Sequence, residues 1–579
     1  MTRADLNIAA AGASALARAR LRADTSTALV RTAALVRAGD VVAFPLLAVM
    51  VLLVTAVPYA FGYLSAPPDK QFMGIVLGMP DAAQYLSWAR EFGHALLIED
   101  KLTPEAGDAT FFNLFSFAVG RLARLVGLGP AEALQLIRLP AGALYLAAIY
   151  YFVHLVTDNR GQRCVGFLVA ALGGGLGWVW VIEKQFTGQL AFPVDVYTSE
   201  ANALLTIMAF PHQAMAYGLL VLILGLSALA LERRSFGRAA IAGVLSLALG
   251  LQHGYDLLPV YAVVGATTLL LALRSRDRLS LLAIGALVCG PAAPAALYLL
   301  YITRESPIWR EVLAQYGNAG VYTPPPAHLL ILIGLPLVLL LFGLFLDLPK
   351  WLRRPLSALA GLPAREVLLR CWLVVGLLLL YIPTDFQIKM LAGWQVPVAI
   401  FATRVLMTRI APALRARGIS SPWRPEVALG LFVVLAVLPV NIYLYSWRFV
   451  DLGRHEYPYY LERDEIAALQ WLSANAAPSD VVLSSLTIGE YIPSATGSRA
   501  FLAHWAATLD FQSKRRLVAR FFDSATSDEE RLGILTRFNV RYVFWAAPER
   551  DLGRYEPSQA TYLTEVFSRR HTLVYSVRE

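Results

Sequence analysis

The chain has 579 residues, of which 57% are hydrophobic and only 16% are charged, and its formal net charge is +9. Soluble globular chains are about 45–50% apolar and about 25% charged, so this composition excludes a soluble domain and predicts a polytopic membrane protein. A mean hydropathy of +0.55 agrees with that prediction. The three cysteines, Cys164, Cys289 and Cys371, lie in or beside apolar segments without CxxC spacing, which excludes a disulfide scaffold and a cysteine zinc site.

Lysine and arginine are gathered in short loops between the apolar segments. Four such loops, at residues 233–238, 274–278, 350–370 and 404–424, fall on one side of the predicted spans. The positive-inside rule makes that side cytoplasmic. Membrane topology therefore explains the basic charge balance, and we expect no nucleic-acid partner.

Apolar segments of about 20 residues, the length that a membrane helix needs, begin near residue 41. Residues 1–40 are rich in alanine and arginine and are predicted to form a cytoplasmic amphipathic segment before a retained signal anchor. Residues 110–127 could span the membrane or lie at its interface, because Arg121 and Arg124 interrupt them. We expect 11 spans, with 13 as the alternative. The predicted spans are residues 41–63, 131–157, 164–183, 203–230, 237–253, 254–273, 279–302, 326–347, 369–384, 388–407 and 426–447.

The orientation of the basic loops places three long loops, 64–130, 184–202 and 303–325, on the extracytoplasmic side. From about residue 448 charges become dense, and strand-like runs alternate with helical ones. This change predicts a small α/β domain over residues 448–579, large enough for its own core. The expected fold is therefore an α-helical transmembrane module over 41–447, followed by an extracytoplasmic α/β domain.

Polar residues on the outer face are the candidates for chemistry, since topology does not explain them. In the first outer loop Asp81, Tyr85 and Trp88 share one face at helical spacing. Asp81 follows Pro80, so it could also be the capping carboxylate of an interfacial helix.

The second outer loop carries two further carboxylates, Asp195 and Glu200. They could assist acid–base chemistry, hold a divalent cation such as Mg²⁺, Mn²⁺ or Ca²⁺, or be solvated loop charges. His212 follows Pro211 near the outer end of a span and could be a packing residue.

His253 and Asp256 lie in an outward turn between two spans, where ionisable residues indicate function, although the two could also satisfy each other. Lys389 and Arg304 are cations on the outer side, against the charge rule. Such cations suit a lipid phosphate, although snorkelling at the headgroups is the alternative. Together these residues predict one outer-face cavity.

The order of these features resembles the GT-C superfamily of integral-membrane glycosyltransferases, which use polyprenyl-phosphate sugars. The tail is similar to that of uncharacterised bacterial members. The resemblance is carried by Asp81 with Tyr85, the glycine-rich Leu172–Trp178, Glu200, Pro211 with His212, the turn at His253, Phe386–Lys389, Phe501–Thr508, Phe521 with Phe522, and Val540–Val543.

The resemblance implies a hexosyl- or pentosyltransferase in a bacterial plasma membrane, with its active face and tail outside. Asp81 would be the catalytic base, and the reaction would invert the anomeric centre. Lys389 or Arg304 would stabilise the leaving lipid phosphate.

The same resemblance implies that Tyr85, Glu200, His212 and His253 would shape the sugar or metal site. From the residues themselves, Asp195 and Glu200, together with Asp81, could supply the oxygen ligands of a divalent metal. The donor would be a polyprenyl-phosphate sugar and the acceptor a glycan, a lipid or a protein.

The sequence departs from known subfamilies at two points. Asp81 is single, unlike the Asp-Glu pair of protein O-mannosyltransferases, and Ala503 stands where glycine is expected before His504 and Trp505. The sequence also has no Trp-Trp-Asp signature of N-glycan transfer. Two other functions stay open, namely a transporter or flippase, and a non-catalytic scaffold whose tail binds a partner. Against the first, the sequence has no repeated halves and few charges inside its spans.

Overall fold

The computed structural model describes residues 40–188, 195–196, 198–318, 322–353, 361–417 and 424–578. The predicted amphipathic segment 1–40 lies outside these ranges except for Asp40. Helices are labelled α and strands β in chain order. The helices are α1 Asp40–Ser65, α2 Met79–Phe92, α3 Leu114–Val126, α4 Pro130–Val156, α5 Arg160–Leu172, α6 Gly177–Thr187, α7 Ala203–Ala209, α8 Pro211–Arg233, α9 Phe236–Gln252, α10 Leu257–Leu273, α11 Arg278–Cys289, α12 Ala293–Glu305, α13 Pro307–Asn318, α14 Leu329–Ile333, α15 Leu335–Arg353, α16 Ala364–Leu379, α17 Gln395–Val405, α18 Ala411–Ala416, α19 Pro425–Ala436, α20 Pro439–Gly453, α21 Arg463–Asn475, α22 Leu486–Gly489, α23 Ile492–Thr496, α24 Phe511–Phe522, α25 Asp528–Arg537 and α26 Ala547–Arg550. The strands are β1 Lys70–Phe72, β2 Tyr460–Glu462, β3 Val481–Leu483, β4 Arg499–Ala500, β5 Val540–Trp545, β6 Leu563–Arg569 and β7 Thr572–Val577.

Seven helical stretches in the described ranges are long and apolar enough to cross a membrane. The bent pair α19 and α20, which meet at 41°, makes an eighth if it is counted as one span. This confirms a polytopic α-helical membrane protein. The seven stretches are Phe44–Ser65, Pro130–Val156, Arg160–Thr187, Pro211–Arg233, Gly254–Leu273, Arg278–Glu305 and Gln395–Ala416.

The sequence predicted 11 spans, and each predicted segment is largely helical. Three of these helices, α9, α15 and α16, are too short or too charged to pass as spans by length and composition. Interruptions of the helical structure explain why two of these helices are shorter than the predicted spans. Helix α9 ends before the 3₁₀ turn Gly254–Asp256, and α15 begins after Gly334, whose φ is +67°. The segment 110–127 forms α3, which has only 13 residues and packs against α2.

The membrane part is built around the long helices α4 and α8, which pack against each other along much of their length. Gly218 of α8 permits this close approach, because a Cβ there would lie 3.0 Å from the backbone nitrogen of Tyr145 in α4. Tyr145, Phe152 and Tyr217 are fully buried at this contact. The tight packing fixes α8, whose amino-terminal end carries His212.

The tail contains a five-stranded sheet in the order β4-β3-β5-β7-β6. Strand β3 is parallel to β4 and β5, whereas β7 is antiparallel to β5 and β6. Together with α21, α24 and α25 this is the α/β arrangement that the strand-like runs predicted.

The tail and the first outer loop share one hydrophobic core. Strand β1 pairs antiparallel with β2, matching Phe72 to Tyr460. Ala83 and Leu86 of α2 lie in the same buried cluster as Leu461 and Ile492. The tail therefore packs directly on the helix that carries Asp81.

Candidate functional site

A cavity of about 350 Å³ lies between α2, α8, the turn after α9, α13 and the 3₁₀ turn Gln387–Leu391. Such a volume is in the range of small-ligand sites. Five residues predicted from the sequence line it: Asp81, Tyr85, His212, His253 and Lys389. The structure thus brings together one carboxylate, two histidines and a cation, as the sequence predicted. The roles of these residues remain predictions.

Asp81 is the third residue of α2 and is half-buried at the cavity. The cap of this helix is Gly78, in a left-handed conformation, so Asp81 is not the capping residue. Burial raises the pKa of the Asp81 carboxyl above its ordinary value, the charge of Lys389 opposes this shift, and the charge of Glu200 adds to it. A carboxylate whose pKa is raised in this way is a better proton acceptor than a solvated one.

Lys389 and Glu200 form an ion pair beside Asp81. The Lys389 Nζ donates to Glu200 Oε1 at 2.7 Å, and the two side chains are 12% and 5% exposed. Ser199 Oγ donates to the other carboxylate oxygen at 3.2 Å. Burial would raise the pKa of Glu200, but the charge and hydrogen bond of Lys389 hold it below its ordinary value. Glu200 is therefore ionised and its negative charge faces the ammonium.

The two histidines are held by different contacts. The ring of His212 stacks on Tyr85, with centroids 4.0 Å apart and planes at 19°. His253 Nδ1 lies 3.0 Å from Asp256 Oδ2, so these two residues are paired, as the alternative interpretation of the turn held. This contact orients the His253 ring at the cavity wall.

Hydrogen bonds between helix ends keep these elements in register. Asn113 caps α3 by accepting from the Ser116 nitrogen, and its Nδ2 donates to the carbonyl of Gln252 at 2.9 Å. Gln252 Nε2 in turn donates to the carbonyl of His212 at 3.4 Å. The start of α3, the end of α9 and the start of α8 are therefore tied together around the cavity.

The other side of the cavity is an aromatic wall made of Trp88, Phe111 and Trp309. Phe111 stacks on Trp309 with centroids 4.1 Å apart, and Trp88 lies 4.6 Å from Phe111. The sequence placed Trp88 on the face of Asp81 but gave no signal for the other two. Phe111 is positioned by an antiparallel bridge to Ile98, and Trp309 by α13, which only the tertiary fold brings here.

Three predicted residues, Glu200, Asp195 and Arg304, do not line the cavity, although Glu200 is bonded to Lys389, which does. The carboxylate of Asp195 accepts from the backbone nitrogens of Gly175 and Gly177, and burial raises its pKa to about 7. Arg304 is exposed at the end of α12, although its neighbour Thr303 reaches the cavity. Within the described ranges, no group of three or more histidine, cysteine, aspartate or glutamate residues could hold a metal ion.

No protein-family model and no curated protein matches this sequence. Solved structures match the fold. The oligosaccharyltransferase of Archaeoglobus fulgidus in its apo form has a TM-score of 0.53 and 14% identity, over 86% of this chain and 69% of that chain. AglB of the same archaeon, in complex with an inhibitory peptide and a dolichol-phosphate, has a TM-score of 0.53 and 13% identity, over the same shares.

The arabinofuranosyltransferase AftD from Mycobacteria has a TM-score of 0.52 and 15% identity, over 93% of this chain and 40% of that one. These neighbours are GT-C glycosyltransferases and polytopic membrane proteins. At such low sequence identity the likeness concerns the fold alone. It is the GT-C fold that the sequence motifs indicated. In fold, the chain is similar to these GT-C glycosyltransferases.

Proposed function

We propose that the protein is a membrane glycosyltransferase that moves a sugar from a polyprenyl-phosphate donor to an acceptor on the extracytoplasmic side. The observation that carries this proposal is that Asp81 and Lys389, whose ammonium is paired with Glu200, line one cavity near the ends of membrane helices. Base and phosphate-suited cation are the two groups that such a transfer requires. The dolichol-phosphate bound to AglB gives the donor class further support.

In this reaction the acceptor hydroxyl oxygen attacks the anomeric carbon from the face opposite the phosphate. Its proton passes to the Asp81 carboxylate. The bond between the anomeric carbon and the phosphate oxygen breaks, and the electron pair stays on the phosphate. The configuration is therefore inverted, and the raised pKa of Asp81 suits a group that must take up a proton.

Lys389 supports the departure of the phosphate. Its ammonium lies in the cavity wall at low exposure, where a positive charge stabilises a developing negative charge more strongly than it would in water. Of the two cations predicted for this role, Lys389 is the better placed, because Arg304 is exposed and does not line the cavity.

Sugar rings have a natural place between the histidines and the aromatic wall. Aromatic faces pack against apolar faces of a ligand, while a few polar groups fix its orientation. Tyr85, His212 and His253 supply the polar side, and Phe111, which is half-buried, supplies an accessible ring. This arrangement supports a binding role for three of the four residues that the resemblance assigned to the sugar.

A divalent metal fits these residues poorly. Such cations take several oxygen ligands, usually carboxylates. Glu200 is already paired with an ammonium, and Asp195 is bound to two backbone amides away from the cavity. We derive no step through a metal.

The test is transfer by the purified full-length protein from a panel of labelled polyprenyl-phosphate sugars, with and without Asp81→Asn. Loss of product in the variant, with donor binding kept, is the expected result. Full activity in the variant would remove Asp81 from the role of base. Absence of both transfer and donor binding would favour the transporter, tested by flux in liposomes, or the scaffold, tested by partner capture.

A further inference from the structure

The ion pair between Lys389 and Glu200 joins two parts of the chain that are 189 residues apart in sequence. Lys389 belongs to the 3₁₀ turn Gln387–Leu391, and Glu200 belongs to the turn Ser199–Ala201. Both turns sit at the outer ends of membrane helices, and Lys389 lines the cavity. Lys389 is therefore part of the cavity wall and accessible to a ligand, and its ammonium is bonded to Glu200, which lies outside the lining.

A buried cation without a counter-charge is costly, and in a cavity without donor Glu200 supplies that counter-charge. The phosphate of a lipid donor requires the same ammonium. With the carboxylate oxygen 2.7 Å from Nζ, an incoming phosphate meets a cation that is already compensated and a negative charge beside it. Glu200 and a phosphate therefore compete for Lys389.

The chemistry of the transfer makes this competition useful for release. The donor phosphate carries a sugar and a lipid, so it is a diester with one negative charge. After transfer the lipid phosphate is a monoester, whose charge at neutral pH is about −1.5 to −2. The spent lipid is thus the more anionic of the two and would hold Lys389 more tightly than the donor does.

We infer that Glu200 is a positioning residue that replaces the lipid phosphate on Lys389 between turnovers and so promotes release of the spent lipid. This inference rests on the proposed function. When no lipid phosphate is bound, Glu200 pairs with the Lys389 ammonium. The donor phosphate displaces Glu200 from the ammonium, and the pair forms again when the polyprenyl phosphate leaves.

The test measures binding of a polyprenyl phosphate to the full-length protein in nanodiscs. Glu200→Gln removes the competing charge at nearly constant size and is expected to bind the lipid phosphate about tenfold more tightly than the wild type, because one near charge repulsion is lost. Asp385→Asn is the matched control, since it removes an exposed carboxylate four residues from Lys389. The control is expected to bind as the wild type does.

Kinetics give a second readout. If release limits turnover, Glu200→Gln lowers kcat and KM together and increases product inhibition by the polyprenyl phosphate. Glu200→Asp keeps the charge but shortens the side chain, so its affinity is expected between those of wild type and Glu200→Gln. This variant tests the inference if Glu200→Gln does not fold.

Equal or weaker binding of the lipid phosphate by Glu200→Gln, in a wild type that binds it, would overturn the inference and leave the proposed function standing. If Glu200→Gln does not fold, Glu200→Asp that binds no more tightly than the wild type has the same meaning. A wild type and variants that all fail to bind any polyprenyl phosphate would instead overturn the proposed function.

Discussion

Two buried ionic groups differ in what surrounds them. In the cavity, Lys389 pairs with Glu200 beside a second carboxylate, that of Asp81. At the contact between the tail and the first outer loop, Lys514 donates both to Glu105 at 2.6 Å and to the carbonyl of Leu509 at 2.5 Å.

In the second group the cations are buried, although their carboxylate partners are partly exposed. Lys101 there bonds Glu99 and the carbonyl of Pro478, and Arg499 also bonds Glu99. Each of these cations joins loop residues to tail residues and lies outside the lining of the cavity. A buried charge alone therefore does not identify a ligand site. Lys389 borders the cavity and is available to a ligand. Lys101 and Lys514, which also donate to backbone carbonyls, join two parts of the fold.

The largest expected effect is that of Asp81→Asn on the rate of transfer. The amide cannot accept the proton of the acceptor hydroxyl, so we expect kcat to fall by about 10²–10⁴. Single-turnover transfer from a bound donor measures the step directly. Asp385→Asn, which removes an exposed carboxylate, serves as the control and should keep its activity.

Paired lysine substitutions test the comparison itself. Lys389→Met should lower kcat/KM by about 10²–10³ through loss of phosphate stabilisation. Lys514→Met should leave the activity of the folded protein within about twofold but lower Tm by a few degrees, because it leaves Glu105 without its partner. Melting curves and transfer assays on both variants decide this. A Lys514→Met protein that keeps its Tm and loses transfer would contradict our distinction between the two groups.

The pH dependence of transfer is expected to reflect the environment of Asp81. Because the base must be ionised and its pKa is raised, the rate should rise with pH along a limb that lies above the range of an ordinary aspartate. Glu200→Gln removes a charge that raises this pKa, so the limb should move to lower pH. Profiles of kcat/KM for wild type and variant measure the shift, and a limb that stays in place would show that Glu200 does not act on the base.

The smallest expected effect is that of chelation. Because Glu200 is paired with Lys389 and Asp195 accepts from two backbone amides, EDTA should change the transfer rate by less than about twofold. The assay repeats the transfer measurement with EDTA and then with Mg²⁺, Mn²⁺ or Ca²⁺. Loss of activity restored by one of these ions would instead support the metal role that the sequence suggested for Asp195 and Glu200.

Hydropathy and loop charges were sufficient to predict the membrane fold and to bring Asp81 and Lys389 to the same face, since both signals are local. Contacts that depend on the tertiary fold could not be predicted from these local signals. The hydrogen bonds from two backbone amides to Asp195 depend on the path of the glycine-rich segment, and the contact of Phe111 with Trp309 depends on long-range packing. Neither leaves a periodic trace in the sequence.

The pairing of β1 with β2 has a consequence for biogenesis. Phe72 needs Tyr460, about 390 residues later, and at roughly 5–20 residues per second the ribosome takes about 20–80 s to make that stretch. Throughout this time the helix with Asp81 lacks the strand and the core that hold it. A chain cut short before Tyr460 would contain every cavity residue named above and still lack the strand partner of β1 and the tail part of the core beside Asp81.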